Sequence, residues 1–385
     1  MPTSKAKNLI YRIALPLCSP AIPNHPVMKT TGRDINGLYQ LNRIIRKNHI
    51  SAGAIAFCSD SDYSYVFSCP VHTDCLPSEN TYYRAASITK MAVAFLSVIL
   101  MDKGILDPEK SVADYLPECS HISNLKHITI RHLLSHTAGI IDPPHLENMP
   151  LAGIPLKTVL DKSINETERG SFHYSNLGFG MIGCIFEAVL NRTIEDIFCE
   201  YLAYPAGLKA TLSAATLNQN DIMPVVRILP WKRNHSVRIT PLGSLPMSAP
   251  DPDFHYGYTA GSMYITLPSL VSLTRIVRDG GTDYVSAQYR HFMKQEVSCY
   301  GRISPTLSYG YGLLRIRDKK ISDHLICGHQ GFAYGCADGA FWEETSGNIM
   351  VSLNGGCSEA RTGRLGIVNR DLCTYAFRKE ICQWK

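Results

Sequence analysis

The chain has 385 residues and no apolar run of the roughly 18 to 20 residues that a membrane-spanning helix requires. A membrane span is therefore not expected. Net charge is only +5, and Lys and Arg are scattered, with short pairs such as Lys319-Lys320. There is no glycine-rich phosphate loop and no basic platform interleaved with aromatics, so no nucleic-acid partner is expected. None of the 13 cysteines forms a C-x-x-C pair, and their number is odd. That argues against a disulfide framework and for free thiols in a reducing compartment. Cys184, Cys199 and Cys373 fall in helix-like apolar patterns and read as small core residues. No internal repeat is visible. What remains is ordinary globular material, 45% hydrophobic and 18% charged, long enough to bury a large core.

The N-terminus faintly resembles a signal peptide: Lys5 and Lys7 precede the apolar stretch Leu9 to Cys18. Arg12 and Pro16 interrupt that stretch, so a cytoplasmic protein is expected, with secretion as the alternative. Residues 1–33, with several prolines, read as an irregular arm.

Against this background the most informative segment is Arg84-Ala85-Ala86-Ser87-Ile88-Thr89-Lys90, at the end of a short β-like run and the start of the apolar segment Met91 to Leu100. If the segment is helical, Ser87 and Lys90 share one face, a turn apart. A serine hydroxyl needs a base to take its proton, and a lysine serves only when desolvation or another cation lowers its pKa. The spacing alone is common: Ser4/Lys7 and Ser123/Lys126 repeat it in a basic tail and in a loop-like stretch.

Two further clusters give it weight. In Phe172-His173-Tyr174-Ser175-Asn176-Leu177-Gly178, Tyr174 is the one tyrosine of 20 followed two residues later by Asn. A phenol there can shuttle a proton if a cation lowers its pKa, and Asn176 can bond to a lysine and a substrate amide together. The plain alternative is a loop into a helix Gly178 to Leu190, capped by Asn176. In Cys327-Gly328-His329-Gln330-Gly331-Phe332, the flanking glycines suggest a strand that something approaches closely. His255-Tyr256-Gly257 repeats that triplet, and a lone His is more often structural. His132 and His136, four apart, have metal-ligand spacing, but no Glu follows the first and no third ligand presents itself.

In this order and spacing the clusters resemble the serine β-lactamase and penicillin-binding-protein superfamily. Its class C-like branch, with β-lactamases, D-Ala-D-Ala carboxypeptidases, D-aminopeptidases, esterases and acyltransferases, is the most similar. Tyr83 to Lys90 looks like the family's nucleophile segment, and Ile128-Thr129-Ile130-Arg131-His132-Leu133-Leu134-Ser135-His136-Thr137-Ala138-Gly139 like its helical-domain signature. Tyr174-Ser175-Asn176, Ala260-Gly261-Ser262-Met263-Tyr264 and His329-Gln330-Gly331 resemble its other motifs, and the likeness runs over roughly residues 35 to 380.

The resemblance implies an α+β fold, an antiparallel sheet flanked by helices with an inserted all-helical lobe and the active site between them. Residues 34–104 and 256–385 would form the α/β domain, and residues 105–255 the helical lobe and cleft loops. The residue patterns agree. Asp34 to Lys47 has helical spacing, Ala52 to Cys58 and Tyr63 to Cys69 read as paired strands, and Gly363 to Ile381 as a closing helix. Later strands are expected at Tyr309 to Arg317, Leu325 to Gly328, Ala337 to Trp342 and Asn348 to Leu353.

By the same resemblance Ser87 is the nucleophile, and Lys90 and Tyr174 share the proton work. The backbone N–H groups of Ser87 and Phe332 hold the oxyanion. Asn176, His329, Gly331 and Gly261 support the substrate, with His329 able to bond to Tyr174. No metal or organic cofactor is needed. The partner is a small-molecule ester or amide, hydrolysed through an acyl-enzyme; alternatives are an acyltransferase of the same fold, or a D-amino-acid peptidase or β-lactamase. One departure stands out. Many β-lactamases have Lys where this chain has His329, which implies poor penicillin hydrolysis. Phe332 and Tyr334 on the same strand can favour an apolar acyl group.

Overall fold

The computed structural model describes residues 27–32, 38–69, 77–229, 232–301, 304–333, 335–357 and 365–378. Its centre is a sheet of nine strands, antiparallel throughout, in the order β1-β3-β2-β14-β13-β12-β11-β10-β9. These are β1 (Val27–Gly32), β2 (Gly53–Cys58), β3 (Tyr63–Cys69), β9 (Ser298–Cys299), β10 (Leu307–Tyr309), β11 (Leu314–Ile316), β12 (Ile326–Ala333), β13 (Cys336–Glu343) and β14 (Ile349–Asn354). A second sheet joins β4 (Tyr82–Arg84), β8 (Tyr264–Thr266) and β5 (Ala210–Thr211), and β6 (Val225–Leu229) pairs with β7 (Lys232–Val237).

Strand alternation explains how the main sheet is covered on both faces. On β2, Ala54, Ala56 and Cys58 face one core while Ile55 and Phe57 face another. The second core is closed by helices α1 (Leu38–Lys47) and α6 (Ile367–Phe377), through Leu41, Ile45, Val368 and Leu372. The first continues into α2 (Thr89–Asp102), α3 (Ile130–Leu134), α4 (Asn176–Leu190) and α5 (Leu267–Arg278). Every residue of α2 from Thr89 to Met101 is buried, as a helix apolar on all sides must be. The helix that bears Lys90 is thus held from all directions.

Two expectations need correction. Residues 1–33 are not irregular throughout: Val27–Gly32 is an edge strand in full register with β3, while residues 1–26 lie outside the described part. Its sequence, Val-Met-Lys-Thr-Thr-Gly, has no apolar run, and a lysine suits an exposed sheet edge. The segment 105–255, expected as a helical lobe and cleft loops, also carries β5 and the paired strands β6 and β7.

Candidate active site

Ser87 sits in a single 3₁₀ turn, Ala86–Ile88, just ahead of α2. Ala86 is left-handed, at φ 45°, a conformation disfavoured for a side-chain-bearing residue and held here by its surroundings. Thr89 Oγ1 donates to the Ala86 carbonyl at 2.6 Å and accepts from the Met263 N–H at 3.1 Å. The Ala85 N–H donates to the Met263 carbonyl at 2.8 Å. The turn is thereby tied to the chain entering β8.

Gly331 of β12 passes so close that an added Cβ would lie 2.4 Å from the Ala85 carbonyl oxygen and 3.1 Å from Ala86 Cβ. Glycine is required there. Gly261 differs: a Cβ would make ordinary contact, 3.5 Å from Ala86, and it is the neighbouring Ala260 carbonyl that reaches the site.

Lys90 is 0% exposed, and its Nζ bonds to three oxygens: Ser87 Oγ at 3.1 Å, Asn176 Oδ1 at 2.8 Å and the Ala260 carbonyl at 2.5 Å. Burial lowers its pKa to about 7; Asp142 pulls it upward and Arg84 pushes it further down. The Tyr174 ring lies 4.9 Å from Nζ. Burial raises the pKa of Tyr174 above the ordinary phenol range. The idea of a phenol made acidic by a neighbouring cation therefore fails: Tyr174 is a protonated phenol, and Lys90 is the group poised near neutrality.

The Tyr174-Ser175-Asn176 element is held by a residue that sequence reading passed over. Asp142 Oδ1 accepts from Ser175 Oγ at 2.7 Å and from the Leu177 N–H at 3.1 Å, and its Oδ2 accepts from the Asn176 N–H at 2.7 Å. A carboxylate over the first turn of α4 suits both the open amides and the helix dipole. The cap of α4 is Ser175, whose Oγ accepts from the Gly178 N–H, while Asn176 is the first helical residue and turns its amide to Lys90. Asp142 sits 33 residues before Ser175, in front of Pro143 and Pro144; locally that pattern announces only a turn.

His132 and His136 do not converge. His132 Nδ1 lies 3.1 Å from the backbone N–H of Thr129, completing the capping box of α3. His136 lies beyond that helix, left-handed at φ 57°, and its Nδ1 accepts from the Ser175 N–H at 3.1 Å. Its ring packs 4.4 Å from that of Tyr174 and 4.9 Å from that of Tyr309.

His329 is buried on β12, and its pKa is down to about 3, chiefly by burial and then by the Lys90 charge. Its nitrogens meet the Gln330 carbonyl and the Tyr309 hydroxyl, so the expected bond to Tyr174 is not made. Beyond Gly328, β12 has no β11 partner, and residues 329 to 333 run past the Ser87 turn instead. Phe332 lines the cleft with Ser87, Tyr174, Asn176 and His329. Tyr334 lies outside the described residues. The cleft holds about 520 Å³, and Leu146, Leu151, Leu242 and Leu314 contribute apolar surface. Tyr300 and Tyr309 also line it, unmarked by any local motif.

A serine bonded to a buried amine, beside a phenol and a close-passing strand, can attack a carbonyl carbon. The Beta-lactamase family model matches residues 71–351. "Penicillin-binding protein 4*" of Bacillus subtilis (strain 168) is 27% identical over 186 residues, 45% of this chain and 40% of that protein. The chain spans between 25% and 67% of the length of the curated relatives it matches. Among solved structures, EstCE1, described as a hydrolase with promiscuous acyltransferase activity, superposes with a TM-score of 0.70 at 16% identity, covering 88% of this chain and 98% of its own. The D-amino acid amidase from Ochrobactrum anthropi SV3 complexed with L-phenylalanine gives 0.68 at 17% identity, covering 89% and 97%. At such identities these two speak for the fold.

Proposed function

This chain belongs to the Beta-lactamase family, within the serine β-lactamase and penicillin-binding-protein superfamily, and we propose that it opens an ester or amide of a small molecule through an acyl-enzyme on Ser87. The observation that carries this reading is Lys90 Nζ, buried and bonded at once to Ser87, Asn176 and Ala260. A neutral amine there spends its two N–H donors on Asn176 and Ala260 and turns its lone pair to the Ser87 O–H. Ser87 Oγ attacks the carbonyl carbon as Lys90 takes its proton. The backbone N–H groups of Ser87 and Phe332 receive the oxyanion, an arrangement supported by the free run of β12 past the turn. Tyr174 gives its proton to the leaving oxygen or nitrogen as the carbon–heteroatom bond breaks, and recovers one from Lys90. Water then repeats the sequence and releases the acid.

A second reading, transfer of the acyl group to an alcohol or amine, draws support from the apolar part of the cleft and from the description of EstCE1. Peptidase or β-lactamase action, suggested by the names of the curated relatives, is a third. The ten free cysteines among the described residues support a reducing, cytoplasmic setting.

Intact-protein mass after incubation with p-nitrophenyl acetate, p-nitrophenyl butyrate, a fluorophosphonate and a penicillin tests the reading. Adducts or turnover lost in Ser87→Ala establish the nucleophile. No adduct from any probe on folded protein overturns it. Added alcohols or amines that divert the product separate transfer from hydrolysis.

A further inference from the structure

Four phenols line the cleft, and three of them are committed. The Tyr309 hydroxyl shares a hydrogen bond with His329 at 2.9 Å, the Tyr256 hydroxyl donates to the Ile154 carbonyl at 2.8 Å, and Tyr174 belongs to the reacting centre. Tyr300 is the exception. It follows β9, its N–H donates to the Leu307 carbonyl at 3.2 Å, and its ring centroid lies 4.3 Å from that of Phe172. Among the described residues its hydroxyl has no hydrogen-bond partner. Burial raises its pKa above the ordinary phenol range, so at neutral pH it keeps its proton and is a donor.

The Tyr300 ring belongs to an aromatic cluster that begins at the reacting centre. His136 lies 4.4 Å from the ring of Tyr174 and 4.9 Å from that of Tyr309, and Phe172 packs 5.8 Å from His136 and 5.5 Å from Tyr309. Aromatic pairs at such separations hold one another in place. The Tyr300 phenol also stands close enough to those of Tyr174 and Tyr309 to oppose their ionisation. The surface from Tyr174 to Tyr309 and Tyr300 is thus aromatic and already formed before a ligand arrives. It is also where a departing group must lie. Tyr174 protonates the leaving atom, while the oxyanion turns to the amides of Ser87 and Phe332. Leu146, Leu151 and Leu242 come from other segments of the cleft and are left for the acyl part.

We propose that Tyr174, Tyr309 and Tyr300 wall a leaving-group pocket for an aromatic alcohol or amine, and that the Tyr300 hydroxyl donates to an oxygen acceptor carried on that ring. This deepens the acyl-enzyme reading above and rests on it. With an arylmethyl ester, Ser87 Oγ bonds to the carbonyl carbon, the bond from that carbon to the ester oxygen breaks, and that oxygen takes the proton of Tyr174. The aromatic alcohol leaves and the acyl part stays on Ser87. Tyr300 meets the ring and not the reacting atoms, so it is a specificity-determining residue.

The test compares kcat/KM within pairs of butyrate esters whose alcohols are alike in size and acidity. Benzyl against cyclohexylmethyl reads the aromatic wall. The m- and p-methoxybenzyl esters against their ethylbenzyl counterparts read the hydroxyl. The acyl group and the leaving oxygen are the same within a pair, so the chemistry of Ser87 and Lys90 cancels in the ratio. Wild type is expected to favour benzyl by about 5-fold, the scale of an aromatic contact. It is expected to favour one methoxybenzyl isomer by about 5-fold, the scale of one neutral hydrogen bond. Tyr300→Phe keeps the ring against Phe172, so the benzyl preference stays and the methoxy preference disappears. Tyr300→Leu loses both. The ratio of p-nitrophenyl acetate to butyrate, which reads the acyl side, stays the same in both variants.

A wild type indifferent within both kinds of pair overturns the proposal. So does a Tyr300→Phe variant that retains the methoxy preference, or one that changes only the acetate-to-butyrate ratio, which would put Tyr300 on the acyl side. Variants that lose all activities in parallel with every ratio unchanged overturn it too, since that is what a merely structural role gives. No turnover of any benzyl ester by an enzyme that still hydrolyses p-nitrophenyl butyrate through Ser87 removes this inference alone. Silence toward p-nitrophenyl butyrate as well would sink the acyl-enzyme reading itself.

Discussion

The two walls of the cleft both carry networks of buried polar groups and behave oppositely. On the helical side, Asp142, Ser175, Asn176, Tyr174 and Lys90 form a chain of bonds around a buried amine whose pKa lies near 7. On the strand side, Tyr309, His329 and the Gln330 carbonyl form a chain just as buried, with the imidazole held neutral far below that pH. The difference comes mainly from the basicity each group starts with: burial is the largest cause in both, and it brings Lys90 from an ordinary 10.5 to about 7 and His329 from 6.5 to about 3. Lys90 faces three oxygens and the field of Asp142, which sustain a proton that burial opposes. His329 faces one acceptor, one donor and the Lys90 charge, all consistent with a single neutral tautomer. The same burial thus leaves one group near neutrality and silences the other, according to the ordinary pKa each brings, with the partners as a smaller correction.

The sharpest way to break this contrast is to empty the reactive wall. Lys90→Met keeps the volume and removes the amine, and the acylation burst with p-nitrophenyl acetate is expected to slow by about 10³-fold or more. A fall of less than tenfold would move the base elsewhere. The next largest effect is expected at the seam between the walls. Gly331→Ala puts a Cβ 2.4 Å from the Ala85 carbonyl, so β12 must withdraw from the Ser87 turn. The loss expected in kcat is about 10²-fold, the cost of a misplaced oxyanion donor, with a smaller change in Tm. Equal activity in Gly331→Ala would remove β12 from the oxyanion site.

The smallest effect sharpens the comparison most. If neutral Lys90 is the base, kcat/KM for a neutral ester rises with pH through about 7 and levels off above it. Asp142 raises the Lys90 pKa, so Asp142→Asn is expected to move the rising limb to lower pH. Its plateau falls by less than about tenfold as the hold on Asn176 loosens. A lower plateau with an unmoved limb would make Asp142 a cap and nothing more.

How much of this was legible follows the range of the interactions involved. Ser87 and Lys90 meet because the turn and the helix after it impose that spacing locally, and the Tyr174-Ser175-Asn176 element is likewise contiguous. The alternation of Ala52 to Cys58 and Tyr63 to Cys69 showed in the residues and agrees with the pairing of β2 and β3. The edge strand β1 did not show, because its stability comes from ladder bonds to β3 and not from an apolar face. Asp142, Tyr309 and Tyr300 carried no mark, since each acts on a residue far away in the chain.

By itself the sequence determined the family and the fold class and pointed to Ser87, Lys90 and Tyr174 as candidates for the site, because those rest on short motifs whose geometry is set by local backbone repeats. Only the tertiary structure decided their electrical state. Lys90 is poised near neutrality, Tyr174 stays a phenol and His329 is silent, because desolvation and long-range partners set a proton's affinity and neither can be read along the chain.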